Sequence, residues 1–378
     1  MPETRVLLAA MSLDLGGAET HVITLARELA RRGRHVAVVS QGGRLTAGLE
    51  SSGIAHYFAP LHSRSPLSLY RAVQAISALV QRERPDILHA HARIPAWACS
   101  VATRGKVPIV TTYHGVYAAG FPWNLVTVPG DLTVAVSEDV ADHFVGHFGF
   151  DRNRIRVILN GIDTARFSPS ADSSAIRTRF GISGHPLILH VSRLSGEFAH
   201  TAAQLIPAVA ALLPDYPDLQ SVIVGDGDRL DEIRSLAARV NESSGRAAVV
   251  VTGGWEDMPP VYAAADVVVG VARVALEAMS CGKPVVLAGE GGLRGLLDEH
   301  IMEDAVHHNF TARGCRRAVT PCELETELRQ AMSDVGRRAE LARNGRRIVV
   351  ERYSIEKMVD DIESVYNEVS RMSKAAKP

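Results

Sequence analysis

The sequence predicts an α/β protein built from two doubly wound domains, and three observations carry that reading. Short β-branched runs alternate with segments of helical period along almost the whole chain. The alternation pauses once, over a polar and irregular stretch near 163–183, and a second series then begins at Pro186-Leu-Ile-Leu-His-Val. Strands alternating with helices imply parallel sheets covered on both faces. A pause between two such series implies a domain boundary.

In the first series, strands are expected at Val6 to Ala9, His35 to Ser40, Asp86 to His89, Pro108 to Thr112, Leu132 to Ser137 and Ile155 to Leu159. Helices are expected between them at Glu19 to Arg32, Leu67 to Arg84, Ala96 to Arg104 and Glu138 to His147. The first two of these carry apolar residues at helical spacing. In the second series the strands are Gln220 to Val224, Ala247 to Thr252, Val267 to Gly270 and Pro284 to Leu287, with helices starting near His200, Arg229, Met258 and Arg273. The last segment repeats apolar residues at Ile355, Met358, Val359, Ile362, Val365, Tyr366 and Val369, one stripe of a helix. The domains are therefore placed at 1–165 and 186–352, with a linker over 166–185 and a final helix within 353–378.

Composition narrows the functional classes. The chain has 378 residues, 46% of them hydrophobic, and a formal net charge of -1. That length suits two domains with separate cores. A near-neutral balance weighs against a nucleic-acid partner. Cys99, Cys281, Cys315 and Cys322 stand in no metal-ligand spacing and read as reduced thiols of a cytoplasmic protein. Only six apolar residues run together near the N-terminus, so no export signal is expected, and no stretch approaches the roughly 20 apolar residues of a bilayer span.

Several motifs fall where strands end and helices begin. Gly16-Gly17-Ala18-Glu19 opens a helix after the first strand, where converging N–H groups would suit a phosphate. A plain tight turn is the competing reading. The dehydrogenase pattern Gly-x-Gly-x-x-Gly is absent there, and Val224-Gly225-Asp-Gly227 lacks its third glycine. Gly225 is read either as a structural turn or as a nucleotide contact. His114, in Thr111-Thr112-Tyr113-His114-Gly115, ends a parallel strand, as His89 and His91 end the strand before it. Two histidines at i, i+2 suggest a metal, but no third ligand has suitable spacing, and no metal is expected. Gly289-Glu290-Gly291-Gly292 follows another strand and is expected to open a helix, which would make Gly291 and Gly292 a second phosphate cradle.

Arg273-Val-Ala-Leu-Glu277-Ala-Met-Ser-Cys-Gly282-Lys-Pro284 reads as a helix with one inward carboxylate, running into a Gly-Pro turn before a buried strand. With the motifs above, Ser192-Arg193-Leu194, Asn160-Gly161-Ile162-Asp163 and Val136-Ser137-Glu138, it forms an ordered set over nearly the whole chain. The set resembles that of the retaining glycosyltransferases of family four, which have the GT-B fold: two Rossmann-like domains facing across a cleft.

The resemblance implies transfer of a sugar from a nucleoside diphosphate, UDP by default, to an acceptor hydroxyl of a glycan, lipid-linked or small molecule, without a metal. It implies that the final helix returns to the first domain. It places Gly16 and Gly17 toward donor and acceptor, His114 in the sugar pocket, Ser192, Arg193 and Gly225 beside the diphosphate, and Glu277 on the ribose. Arg193 and His114 would be the catalytic residues. Two positions depart from the pattern: Phe198 stands where a second phosphate-binding lysine is expected, and Val269 where a second glutamate is expected, eight residues before Glu277. Arg273, one turn before Glu277, either supplies the missing cation or pairs with Glu277 inside the helix. A nucleotide-sugar epimerase on the same fold and a nucleotide-sugar-binding or scaffold protein are the alternative readings. The first would release free UDP or a new epimer with no acceptor, and the second would not turn over. Location is expected to be cytoplasmic, with peripheral membrane contact left open.

Overall fold

The computed structural model describes residues 4–14, 16–183 and 186–375. The chain divides into two compact units: residues up to Gly161 together with those from Ile355 onward, and residues Ile162–Ser354.

The first unit runs β1 (Arg5–Ala9), α1 (Gly17–Arg31), β2 (His35–Ser40), α2 (Thr46–Glu50), β3 (Ala55–Phe58), α3 (Pro66–Glu83), β4 (Ile87–His91), α4 (Arg93–Thr103), β5 (Ile109–Tyr113), β6 (Leu132–Ala135), α5 (Glu138–Phe148) and β7 (Ile155–Val157). Its seven strands lie in the order β3-β2-β1-β4-β5-β6-β7, and every pairing is parallel. One face of the sheet packs α1 and the C-terminal helix (Ile355–Ala375), with Val6, Leu8, Val22 and Leu25 meeting Met358, Ile362 and Val369. The other face packs α3 and α4 through Leu7, Ala9, Ile76 and Cys99. Alternate residues of β1 thus serve opposite layers, as a period of two requires.

The second unit runs α6 (Ser174–Arg179), β8 (Leu187–Val191), α7 (His200–Leu212), β9 (Gln220–Val224), α8 (Leu230–Ser244), β10 (Val249–Gly253), α9 (Met258–Ala264), β11 (Val267–Gly270), α10 (Arg273–Ser280), β12 (Val285–Gly289), β13 (Gly292–Leu296), α11 (Met302–His307), α12 (Pro321–Ser333) and α13 (Val335–Arg352). Its sheet order is β10-β9-β8-β11-β12-β13, parallel except for β13.

Three expectations need correction. The polar stretch 166–185 belongs to the second unit, where part of it is α6 and Ile176 and Ile182 are buried (residues 184 and 185 lie outside the described residues). The segment after β12 opens no helix: Gly292 begins the antiparallel edge strand β13, reached by a short turn. The strand β3 and the short α2 go unmarked in the sequence, because β3 is a four-residue edge strand with no fully buried side chain.

Candidate functional site

Both sheets have the strand order of a doubly wound fold, and both reverse it at one point, between β1 and β4 and between β8 and β11. Beyond the strand C-termini at such a reversal, the diverging loops leave a crevice where open α/β sheets take their ligands.

In the second unit, His190 ties β8 to β11. Its Nδ1 lies 2.9 Å from the Val269 carbonyl oxygen, and its Nε2 lies 2.9 Å from Ser192 Oγ. A carbonyl oxygen only accepts, so Nδ1 carries the proton and Nε2 accepts from the serine hydroxyl. Burial pushes His190 down to about 4, and the ring is neutral at pH 7. Ser192 therefore has its hydroxyl hydrogen committed to His190 and its backbone N–H to Val224. Toward a ligand it offers lone pairs, which suit a hydroxyl better than a phosphate.

The loop after β8 is clamped onto the loop after β9. Leu194 N–H donates to Asp226 and Arg229 N–H to Leu194, each at 2.9 Å. A Cβ on Gly225 would overlap the Ser192 carbonyl oxygen, and one on Gly227 would overlap that of Leu194. Close backbone approach thus explains both glycines, with or without a nucleotide. Arg193 stands exposed at this edge, its guanidinium 5.6 Å from the centre of the Phe198 ring. Phe198 lies in a 3-10 turn, Gly196–Ala199, that leads into α7. The aromatic side chain found where a lysine was expected holds the arginine, at about 0.5–1 kcal/mol for an exposed cation–π contact. Among the described residues no carboxylate pairs with Arg193.

Arg273 and Glu277 meet inside α10, with Arg273 Nε donating to Glu277 Oε1 at 2.7 Å. Of the two readings of Arg273, the intrahelical pair is the one observed. Glu277 is buried, and burial raises its carboxyl above the ordinary range, against the opposing pull of Arg273 and the neighbouring Tyr262 hydroxyl. The connection from β11 to α10 is only Val271 and Ala272. To make the turn, Ala272 takes φ 54°, ψ -123°, and its N–H donates to the Phe310 carbonyl at 2.7 Å. Such backbone is sparsely populated for a residue with a Cβ, and it concentrates at ligand sites.

Val269 is a core residue of the second unit. Eight residues before Glu277 lies the middle of β11, where the valine side chain packs in the hydrophobic core. A glutamate there would enter the core, so Val269 is no replaced pocket residue. The helix-based cradle at Gly291 and Gly292 also goes. A Cβ on these glycines would come within 2.5 Å of the Ala312 and 2.6 Å of the Arg317 carbonyl oxygen, so the 312–317 backbone requires them.

In the first unit, Gly16 is the N-cap of α1 in extended conformation with no side-chain cap. The Glu19 carboxylate, however, folds back over Gly16 and faces the positive end of the helix dipole. A phosphate at Gly16-Gly17 would have to displace it. His114, just past β5, lies in a cluster of rings. Its centroid is 4.9 Å from His21 and 5.4 Å from His91, and His89 lies 4.2 Å from His91. His91 Nδ1 and His114 Nε2 are 3.2 Å apart; His89 bridges Tyr366 Oη and Thr112 Oγ1, each at 2.7 Å. Burial holds His89, His91 and His114 well below the ordinary histidine value, with each neighbouring ring adding to the effect. Among the described residues no group of three or more His, Cys, Asp or Glu is arranged to hold a metal.

Sequence reasoning missed His190, His21 and Tyr366, which look like ordinary members of an apolar strand and two amphipathic helices. It also missed a pocket beyond β1, β4 and β5, lined by Met11, Arg64, Arg93, Val116, Tyr117 and Trp123 among others.

Two doubly wound units of this order define a GT-B type of protein. The comparisons make that more specific. The family model Glycosyltransferase Family 4 matches residues 15–166, and the model Glycosyl transferases group 1 matches residues 185–313. The chain belongs to these family 4, group 1 glycosyltransferases and is an enzyme of that kind. It is 30% identical over 328 residues to D-inositol 3-phosphate glycosyltransferase of Acidothermus cellulolyticus, covering 74% of this chain and 72% of that one. It is 27% identical over 265 residues to a sulfoquinovosyl transferase of Arabidopsis thaliana, where the match spans 64% of this chain and only 49% of the relative. Among solved structures, the Anabaena protein HepE in complex with UDP-glucose superposes with a TM-score of 0.75 at 23% identity, over 96% of this chain and 99% of that one. At that identity the likeness speaks to fold.

Proposed function

We propose that this glycosyltransferase moves a hexose from a UDP-sugar to an acceptor hydroxyl with retention of anomeric configuration and without a metal. The observation that carries the proposal is Arg193: a guanidinium over the Phe198 ring, with no carboxylate partner among the described residues, beyond the C-terminal end of β8 and next to the strand-order reversal of the second unit. When the bond from the sugar to the β-phosphate breaks, charge builds on the phosphate oxygens. A fixed guanidinium in that position stabilises the charge as it develops, a contribution of several kcal/mol in comparable sites. The acceptor oxygen bonds to the anomeric carbon on the face the diphosphate leaves, and the acceptor proton passes to the departing phosphate oxygen. No protein nucleophile is needed.

Glu277 is assigned to the ribose hydroxyls. One of its oxygens accepts from Arg273, and a carboxylate keeps further lone pairs for O–H donors. Arg273 then orients Glu277 and does not itself grip the diphosphate. His114, held neutral by its surroundings, is assigned to the sugar, as a ring able to donate or accept a hydrogen bond. HepE, which shares the fold, was solved with UDP-glucose, and a UDP-hexose is the donor proposed here.

Arg193→Ala tests the reading. If the guanidinium acts on the leaving group, turnover measured as UDP release falls by roughly two orders of magnitude. UDP-sugar affinity by titration calorimetry should fall far less. Equal losses in both would make Arg193 a ground-state contact, and unchanged turnover would remove it from the mechanism.

A further inference from the structure

The pocket beyond β1, β4 and β5 lies at the strand-order reversal of the first sheet and encloses about 320 Å³, within the usual range for small-molecule sites. Two arginines meet over one aromatic ring inside it. The Arg64 guanidinium lies 4.4 Å from the centre of the Trp123 ring, and that of Arg93 lies 5.1 Å from the same ring and 4.9 Å from Tyr117. Arg93 Nη2 donates to the Ala118 carbonyl at 3.0 Å, whereas its buried Nε has no partner among the described residues. Among the described residues no carboxylate forms an ion pair with either arginine. Burial presses Arg93 toward its neutral form, Tyr117 and Tyr113 oppose it, and the charge of Arg64 adds a smaller push in the direction of burial. A partly buried guanidinium left in this state costs stability, and an anionic group would relieve it.

Other features converge on the same place. Arg93 is the first residue of α4, whose N-cap Ala92 takes φ 80° and carries no side-chain cap. The uncapped N–H groups and the positive dipole end of an eleven-residue helix therefore sit at the pocket wall. Met11, Ile94 and Val116 complete the lining, and the indole and phenol rings present flat faces. The site thus combines guanidinium donors suited to a phosphate with an apolar floor suited to the carbon skeleton that carries it.

We propose that this pocket binds the acceptor and that the acceptor bears a phosphate group, gripped by Arg64 and Arg93, with its carbon body against Trp123. The word acceptor rests on the transferase reading above; the anion site itself rests only on the first unit. The phosphate has two sources, a free polyol or sugar phosphate and a lipid headgroup. Val116, Phe121 and Leu125, exposed along the same loop, keep the second in view.

The test titrates the full-length protein, first saturated with UDP to fill the donor site, and reads tryptophan fluorescence. Probes are inorganic phosphate, glycerol 1-phosphate, glycerol, and phosphatidylcholine vesicles with and without phosphatidic acid. A saturable change with the phosphate probes and none with glycerol is expected, and Trp123→Phe should abolish it. Arg64→Ala, at an exposed position that does not endanger folding, should weaken binding roughly ten-fold, the worth of a hydrogen bond to a charged group. Arg93→Lys, which keeps the charge but loses the fork, should weaken it less. A response to soluble probes assigns a free phosphate, and a response only to vesicles containing phosphatidic acid assigns a headgroup. No saturable response to any phosphate, or one that both variants leave intact, overturns the proposal. If UDP gives no thermal stabilisation while the phosphate response persists, the UDP-donor reading fails and the anion site stands.

Discussion

At the scale of single residues, strain and pairing separate what holds the site from what meets the ligand. Ala272 sits at φ 54° because two residues must carry the chain from β11 into α10. Such backbone costs about 1–3 kcal/mol for a residue with a Cβ, and glycine gives back only about 0.5–1 kcal/mol of that in entropy. Ala272→Gly should therefore stabilise the second unit by about 1 kcal/mol, read as a rise of about 2–4 °C in its melting temperature. A fall would mean that the alanine methyl is packed well enough to outweigh the strain. Glu277 faces the opposite test. If its carboxylate accepts from the ribose, Glu277→Ala should weaken UDP binding by about 1.5–3 kcal/mol in titration calorimetry, whereas unchanged affinity would leave it as the partner of Arg273 alone. The sequence revealed Glu277 as an inward carboxylate on a helix, but two departures counted along the chain had different fates. Phe198 is an exposed ring stacked on Arg193, and Val269 is a core residue. Counting back from Glu277 misplaced Val269, because it cannot see how short the β11 to α10 connection is.

At the scale of elements, the C-terminal helix is the clearest dependence of one part of the fold on another. Met358, Val359, Ile362, Val365, Tyr366 and Val369 are all buried, and each contributes about 1.5–3 kcal/mol by leaving water. Together they match the whole margin of about 5–15 kcal/mol by which a domain is stable. Ion pairs set their register: Arg32 with Asp360 and Glu363, Arg34 with Glu363, and Arg156 with Glu368. Tyr366 reaches past this interface to His89. Tyr366→Phe keeps the packing but leaves a buried ring nitrogen without its partner, which should cost about 1–3 kcal/mol in chemical denaturation. A change below about 0.5 kcal/mol would show that His89 finds another donor or acceptor. The helix itself was legible, because a stripe of seven apolar residues at helical spacing is a strong signal. The hairpin at Gly291 was not. Glycines after a parallel strand look alike whether the chain turns into a helix or doubles back, and the carbonyls of Ala312 and Arg317 that require those glycines lie some twenty residues away.

At the scale of the whole molecule, alternation of strand and helix revealed two Rossmann-like units, whereas their true division at 161/162 and 354/355 depends on a helix joining a unit it does not follow in sequence. The same division predicts an uneven response to acid. In the first unit His89, pushed down to about 3, His91 and His114 are all held below the ordinary histidine value by burial; in the second, His190 is pushed down to about 4. A group whose folded value is depressed takes up protons more readily when unfolded. Its stabilisation is complete above the unfolded value near 6.5 and is lost as pH falls toward the folded one. At pH 5.5, one unit below 6.5, a ring with a folded value of about 3 or 4, as for His89 and His190, has lost about 1.4 kcal/mol. His56 in the first unit is depressed in the same direction by burial, so with more depressed rings than the second unit the first should show the larger fall in its transition. Differential scanning calorimetry at pH 7.5 and 5.5 reads this directly, and the transition that UDP raises marks the second unit under the proposed function. Equal shifts in both transitions, or none, would mean that the histidine cluster of the first unit finds water or a counter-charge as readily folded as unfolded.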